Sequence, residues 1–263
     1  MKKRWLIYLA VGLAFYLVFL VVYIPADWLA WGLARTTKGI IHIDQPTGSV
    51  WHGAGKLTVY YPQTTPNDFG QAQWTIDPLW LITGQLQIHA ESATNATKLQ
   101  GTMRLGRNRV LFSDVSLTLP AERVGVLYPP VALANPQGQF SLHTRELNIS
   151  PSAVEGGAEL LWQNAASALS TVKPLGEYKL EMTGQNKTAN LKLSTVRGDL
   201  ELTGQGQWHL LDSGILQFNG TVLPRGHTEE LEPLLQLLGN AQGNGARPLT
   251  FNAVFPIPKP PLF

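Results

Sequence analysis

No cysteine occurs anywhere in the 263 residues, which removes disulfides, thiolate metal sites and thiol nucleophiles at once. The absence also suits an oxidising compartment, where stray thiols are a liability. Charge is scarce too. Asp, Glu, Lys and Arg make up 14% of the chain, against about 25% in a typical soluble domain, so part of the molecule avoids water. The little charge present has no preferred sign. Net charge is +2, but setting aside Lys2, Lys3 and Arg4 leaves 17 basic residues against 18 acidic ones. No basic stripe remains to follow a phosphate backbone, which argues against nucleic acid as a partner.

Constellations for chemistry are missing as well. The six histidines (His42, His52, His89, His143, His209 and His227) form no pair at helical spacing and share no short motif with acidic residues, so they read as scattered surface groups rather than metal ligands. Ser170-Thr171-Val172-Lys173 matches a Ser-x-x-Lys pattern. Its usual companion motifs are absent, and Pro174 breaks the helix such a pair needs. Neither a Gly-x-Ser-x-Gly elbow nor a phosphate loop occurs. No catalytic residue, cofactor or metal is expected. The Asn-x-Ser/Thr triplets at Asn95, Asn148, Asn186 and Asn219 matter only in a glycosylating host.

One apolar run stands out. Trp5 to Tyr23 carries no charge, and as a helix it is about 28 Å long, close to the hydrocarbon thickness of a bilayer. A soluble core helix rarely stays apolar on every face, and a cleaved signal peptide has a shorter core with a small-residue cleavage site. The run therefore reads as an uncleaved anchor. Lys2, Lys3 and Arg4 before it keep the N-terminus cytoplasmic and export the chain beyond residue 24. Tyr23, Trp28 and Trp31 fall at the exit, where amphipathic rings favour the headgroup layer. Residues 27–38 read as a short helix, either along the membrane surface or as an ordinary linker.

From residue 40 onward the period is two. Tyr178, Leu180 and Met182 alternate with Glu177, Lys179 and Glu181; Leu191, Leu193, Leu200, Leu202, Trp208 and Leu210 continue the pattern. Such alternation marks half-buried strands with one dry face. Turn signals at 106–108, 184–187, 197–199 and 212–214 are short, which favours antiparallel neighbours. Helical candidates are few: 78–82, 121–128 and 228–239. The tail 255–263 is proline-rich and suits an extended conformation. Three short helices cannot cover so many dry faces. The sheet must therefore close on itself as a sandwich or curved trough, or offer its apolar face to a partner or lipid.

Trp51, between Gly48 and Gly53, reads as a core anchor of a first strand over 47–62, burying on the order of 200 Å². The glycines permit a bulge or close approach beside its ring. A sugar- or lipid-binding Trp is the sharper alternative. The Gly-Ser-Val-Trp-His-Gly element here, soon after a single apolar run, resembles protein N of the bacterial type II secretion system. Three more stretches carry the resemblance: 22–29; 74–87 through Trp74, Pro78, Leu81 and Gly84; and 160–182 through Trp162, Asn164, Ala165, Pro174, Leu175, Gly176 and Tyr178. Ile82 replaces the leucine more common in that family.

The resemblance implies a bitopic inner-membrane accessory component of a machine that exports folded proteins across the outer membrane. The other inner-membrane platform proteins would be its partners. A distant likeness to AsmA-like envelope proteins, whose curved sheets are associated with lipid, adds a lipid-binding trough as the alternative function.

The expected layout is a cytoplasmic tip and transmembrane anchor over 1–23, a juxtamembrane helix or linker over 24–44, a periplasmic and mainly β domain over 45–255, and a tail over 256–263. That domain is expected to be a curved antiparallel sheet with a few short helices. Expected structural residues are Trp51, Trp74, Trp162, Trp208 and Tyr178 in the core, and Gly48, Gly53, Gly84 and Gly176 at turns or bulges. Tyr23, Trp28 and Trp31 are expected at the membrane interface.

Overall fold

The computed structural model of the chain describes residues 2–60, 67–94, 96–127, 135–236, 239, 241–243 and 245–254. The tail 255–263 lies outside them. Two helices come first, α1 (Lys2–Val22) and α2 (Ala26–Thr36). They lead into β1 (Ile41–Gly48), β2 (His52–Val59) and β3 (Asn67–Asp77). A 3-10 turn (Pro78–Thr83) precedes β4 (Leu86–Ala93), β5 (Lys98–Gly106) and β6 (Arg109–Pro120). After α3 (Glu122–Leu127) come β7 (Pro136–Ile149), β8 (Val154–Ser167) and β9 (Gly176–Gln185). The chain continues with β10 (Thr188–Gly198), β11 (Leu200–Trp208), β12 (Ile215–Pro224), α4 (Thr228–Gln236) and β13 (Arg247–Val254).

All 13 strands lie in one sheet, in chain order, and every neighbouring pair is antiparallel. This is the meander that the short turn signals imply. Among the described residues no second sheet packs on it as a sandwich would require. β1 opens at Ile41, inside the segment expected to be linker, because Ile41 and Ile43 already alternate with His42 and Asp44.

Register carries one apolar face across the sheet, since directly opposed residues share a face. One row runs Ile76–Ile88–Met103–Phe112–Leu147. Another runs Leu117–Leu142–Leu160–Leu180–Leu193. The opposite face carries a row of polar residues: Gln73, Glu91, Gln100, Ser116, His143, Glu159, Glu181, Lys192, Gln205, Asn219 and Thr250.

The dry face is covered at both ends. Ala26 and Leu29 of α2 pack on Trp74, Ile76 and Ile43. At the other end Leu231 and Leu235 of α4 pack on Leu175, Leu200 and Val222. A smaller cluster joins Val154, Ala189 and Leu210 with Trp208. Across β5–β9 most of the apolar side chains are only half-buried.

Over the described residues alone no helix is long and apolar enough to cross a membrane, and those residues include only part of the side chains of α1. The helix at the expected place is nevertheless 21 residues long. Its described apolar side chains, Tyr8 and Phe15 among them, are exposed rather than packed on the sheet.

Candidate functional site

Two regions gather the residues singled out in the sequence: the junction where α1 meets the sheet, and the middle of the dry face. At the junction the Trp51 indole N–H donates to the Val21 carbonyl at 2.8 Å. The Val50 N–H donates to the Ile24 carbonyl at 2.9 Å, and a β-bridge joins Pro25 to Ser49. The Ile76 N–H donates to the Trp51 carbonyl at 2.7 Å, and the Trp74 indole to the Val50 carbonyl at 3.0 Å. The last turn of α1 is thus bonded to the chain that enters β2 and flanks β3.

Trp51 is not inside a first strand, as expected for 47–62, but in the connection between β1 and β2. It is half-buried, whereas Trp74 is buried. Gly48 has φ +87°, the left-handed region, and turns the chain out of β1. A Cβ at Gly53 would overlap the Trp74 ring. Gly53 therefore makes room for Trp74 rather than for the neighbouring Trp51. Gly84 ends the 3-10 turn at φ +69°. Around the junction Tyr23, Trp28 and Trp31 are exposed, with Arg35 over the Trp31 ring at 5.3 Å.

In mid-sheet the Trp162 ring stacks on Phe140 at 5.2 Å and lies 5.8 Å from that of Tyr178. The Trp162 N–H donates to the Gln137 carbonyl at 2.9 Å. The Tyr178 hydroxyl donates to the Leu200 carbonyl at 2.9 Å, and burial pushes it well above the usual tyrosine range. Gly176 leaves space for that hydroxyl, which a Cβ would crowd. Tyr178 is buried, but Trp162 and Trp208 are half-buried. The physical reason is the single layer: a ring on an open sheet has neighbours beside it but no second layer above it. Trp208 donates to the Gly214 carbonyl at 3.2 Å.

The wet face carries exposed ion pairs. Lys179 joins Glu181 at 2.8 Å and Glu159 at 3.8 Å, and the ammonium holds the Glu181 carboxyl below its usual range. Arg197 does the same to Glu177 at 2.6 Å, and Arg225 to Glu201. A cleft of about 600 Å³ near α4 is lined by Lys173, Glu177, Arg197, Asp199, His227 and Glu230, among others. His227 pairs with Asp199 at 3.1 Å. Among the described residues no group of three His, Asp or Glu side chains could hold a metal ion.

The bonds from Val21, Val50 and Ile24 across the junction were not legible in the sequence, because backbone carbonyls at a helix end carry no residue signature. An observable signal was Trp51 itself, an aromatic donor just beyond a helix with unsatisfied terminal carbonyls.

A single antiparallel meander with an apolar face defines a mainly β, single-sheet protein. The family described as type II secretion system (T2SS), protein N, matches residues 41–250, from the first residue of β1 into β13, and the chain belongs to that family. No curated protein and no solved structure matches it. The resemblance seen in the sequence motifs is thereby shown, and type II secretion is the setting of the protein.

Proposed function

We propose that the protein is a non-catalytic accessory component of the type II secretion system. In this reading it is tethered to the inner membrane by α1 and contacts platform proteins through its periplasmic sheet. The observation that carries the reading is the family match from β1 into β13. The anchor is supported by the uncharged stretch from Trp5 to Tyr23, the exposure of its described side chains, and the exposed Tyr23, Trp28 and Trp31 at its end. Trp51, Trp74, Trp162, Trp208 and Tyr178 are proposed to hold the scaffold rather than to bind ligand, because their polar atoms are taken up by backbone carbonyls. A strain lacking the gene should export folded proteins less efficiently. Unimpaired export in that strain would remove the accessory role.

One observation favours a second reading. Leu142, Leu160, Leu180 and Leu193 form a row across β7–β10 and remain half-buried. A dry face of this kind suits acyl chains. Native mass spectrometry of gently extracted protein should then show bound phospholipid, and a lipid-free spectrum would dismiss the trough.

A further inference from the structure

The connection between β3 and β4 presents apolar side chains where a solvent-facing turn is ordinarily polar. In the 3-10 turn Pro78–Thr83, Leu79 is 70% and Ile82 84% exposed, and Leu81 is exposed too. Beyond α1 and α2, no described large hydrophobic residue is more exposed than these first two. The turn is well defined: the Asp77 carboxylate accepts from the Leu79 N–H at 3.0 Å, and Gly84 closes it in the left-handed region. Its exposed apolar surface is therefore a built feature, not a frayed end.

The position of the turn gives the surface a meaning. Trp51 is bonded to Val21 in the last turn of α1, and Ile76 is bonded to Trp51. Ile76 is two residues before Pro78, so the turn begins beside the end of the apolar helix.

A second element reaches the same end of the sheet. β5 pairs with β4, with Arg104 opposite Gln87 and Leu105 opposite Leu86. The β5–β6 hairpin, where Gly106 faces Arg109, therefore lies about two strand spacings, or about 10 Å, from the turn. It carries Arg104, Arg107 and Arg109. Arg104 covers the Trp80 ring at 4.0 Å and donates to the Gln87 side-chain oxygen at 2.8 Å. Among the described residues none of these three arginines has a carboxylate partner within ion-pair distance.

We infer that the 3-10 turn and the β5–β6 arginines form a second membrane contact. Leu79, Leu81 and Ile82 enter the interfacial layer, while Arg104, Arg107 and Arg109 meet anionic headgroups. Apolar side chains flanked by cations are the chemistry that binds such a surface. Two attachments, a rod bonded to the sheet at Trp51 and a turn beside it, fix the tilt of the sheet against the bilayer. The inference rests on the anchor reading of α1, and its test separates the two.

The chain has no cysteine, so single spin labels can be placed on the full-length protein through Leu13→Cys, Leu79→Cys, Ile82→Cys and Thr171→Cys. The protein is reconstituted in vesicles of phosphatidylethanolamine and phosphatidylglycerol. Labels at positions 79 and 82 should be accessible to oxygen and shielded from a polar nickel reagent. The label at 171, at the opposite end of the sheet, should show the reverse. Arg107→Gln with Arg109→Gln, or vesicles of phosphatidylcholine alone, should weaken the shielding at 82. Position 82 as wet as 171, with 13 in lipid, overturns the inference and leaves the anchor standing. Position 13 in water overturns both. Shielding of 82 only in native membranes, and not in vesicles, would mean that the turn docks on a protein, and also overturns it.

Discussion

Tyr178 ties two strands together through one hydroxyl, and its environment makes that tie depend on pH. Burial raises its folded-state pKa above the ordinary value of 10.0. For an acid raised in this way, the folded state holds the proton that the unfolded chain gives up. The stabilisation is full below pH 10.0 and is lost as pH rises beyond it. Tyr178→Phe should cost about 1–2 kcal/mol at neutral pH, because the Leu200 carbonyl loses its donor. It should also flatten the alkaline loss of stability, read by urea unfolding on both sides of that pH. Trp74 and Gly53 make a second residue-level pair. Trp74→Ala should cost about 3–5 kcal/mol as a buried ring. Gly53→Ala, which drives a methyl into that ring, should cost about 1–3 kcal/mol. If the alanine at 53 were harmless in thermal melts, the close approach would not matter. Trp51→Phe removes the donor to Val21 and should leave the sheet intact while loosening the α1 junction, seen as faster proteolysis near residues 22–26.

Elements differ in how plainly the sequence announces them. The strands and their antiparallel turns were legible because alternation such as Tyr178-Lys179-Leu180-Glu181-Met182 has a period of two and little else produces it. The helix at 228–236 was legible from its acidic first turn, Glu229 and Glu230. What was not legible is where each helix docks. Leu231 and Leu235 look alike whether they cap their own sheet or await a partner, and only the fold shows them buried against Val222 and Leu200. The junction site was half-legible. Trp51 and its glycines drew attention, but the ring that Gly53 serves is Trp74, brought opposite by β2–β3 pairing, a long-range fact that no local pattern contains. Because α4 closes the dry face at the β9–β13 end, Leu231→Ala or Leu235→Ala should each cost about 2–5 kcal/mol. Amide exchange in β11 and β12 should accelerate, with β2 and β3 unaffected; uniform acceleration would mean that the sheet melts as one unit.

At the scale of the molecule, the described strands form a single sheet whose two faces are chemically opposite and whose ends are capped by α2 and α4. Its family places it in type II secretion, and the proposed function works through what the sheet touches. Contact with another component of that machine is thus the central claim. The most direct measurement is photocrosslinking in actively secreting cells. The reactive residue is placed at Asn252 on the last strand, and separately at Leu160 on the dry face. Adducts to a protein of the secretion apparatus from at least one position are the predicted result. Lipid adducts alone, or none from either position, would contradict it.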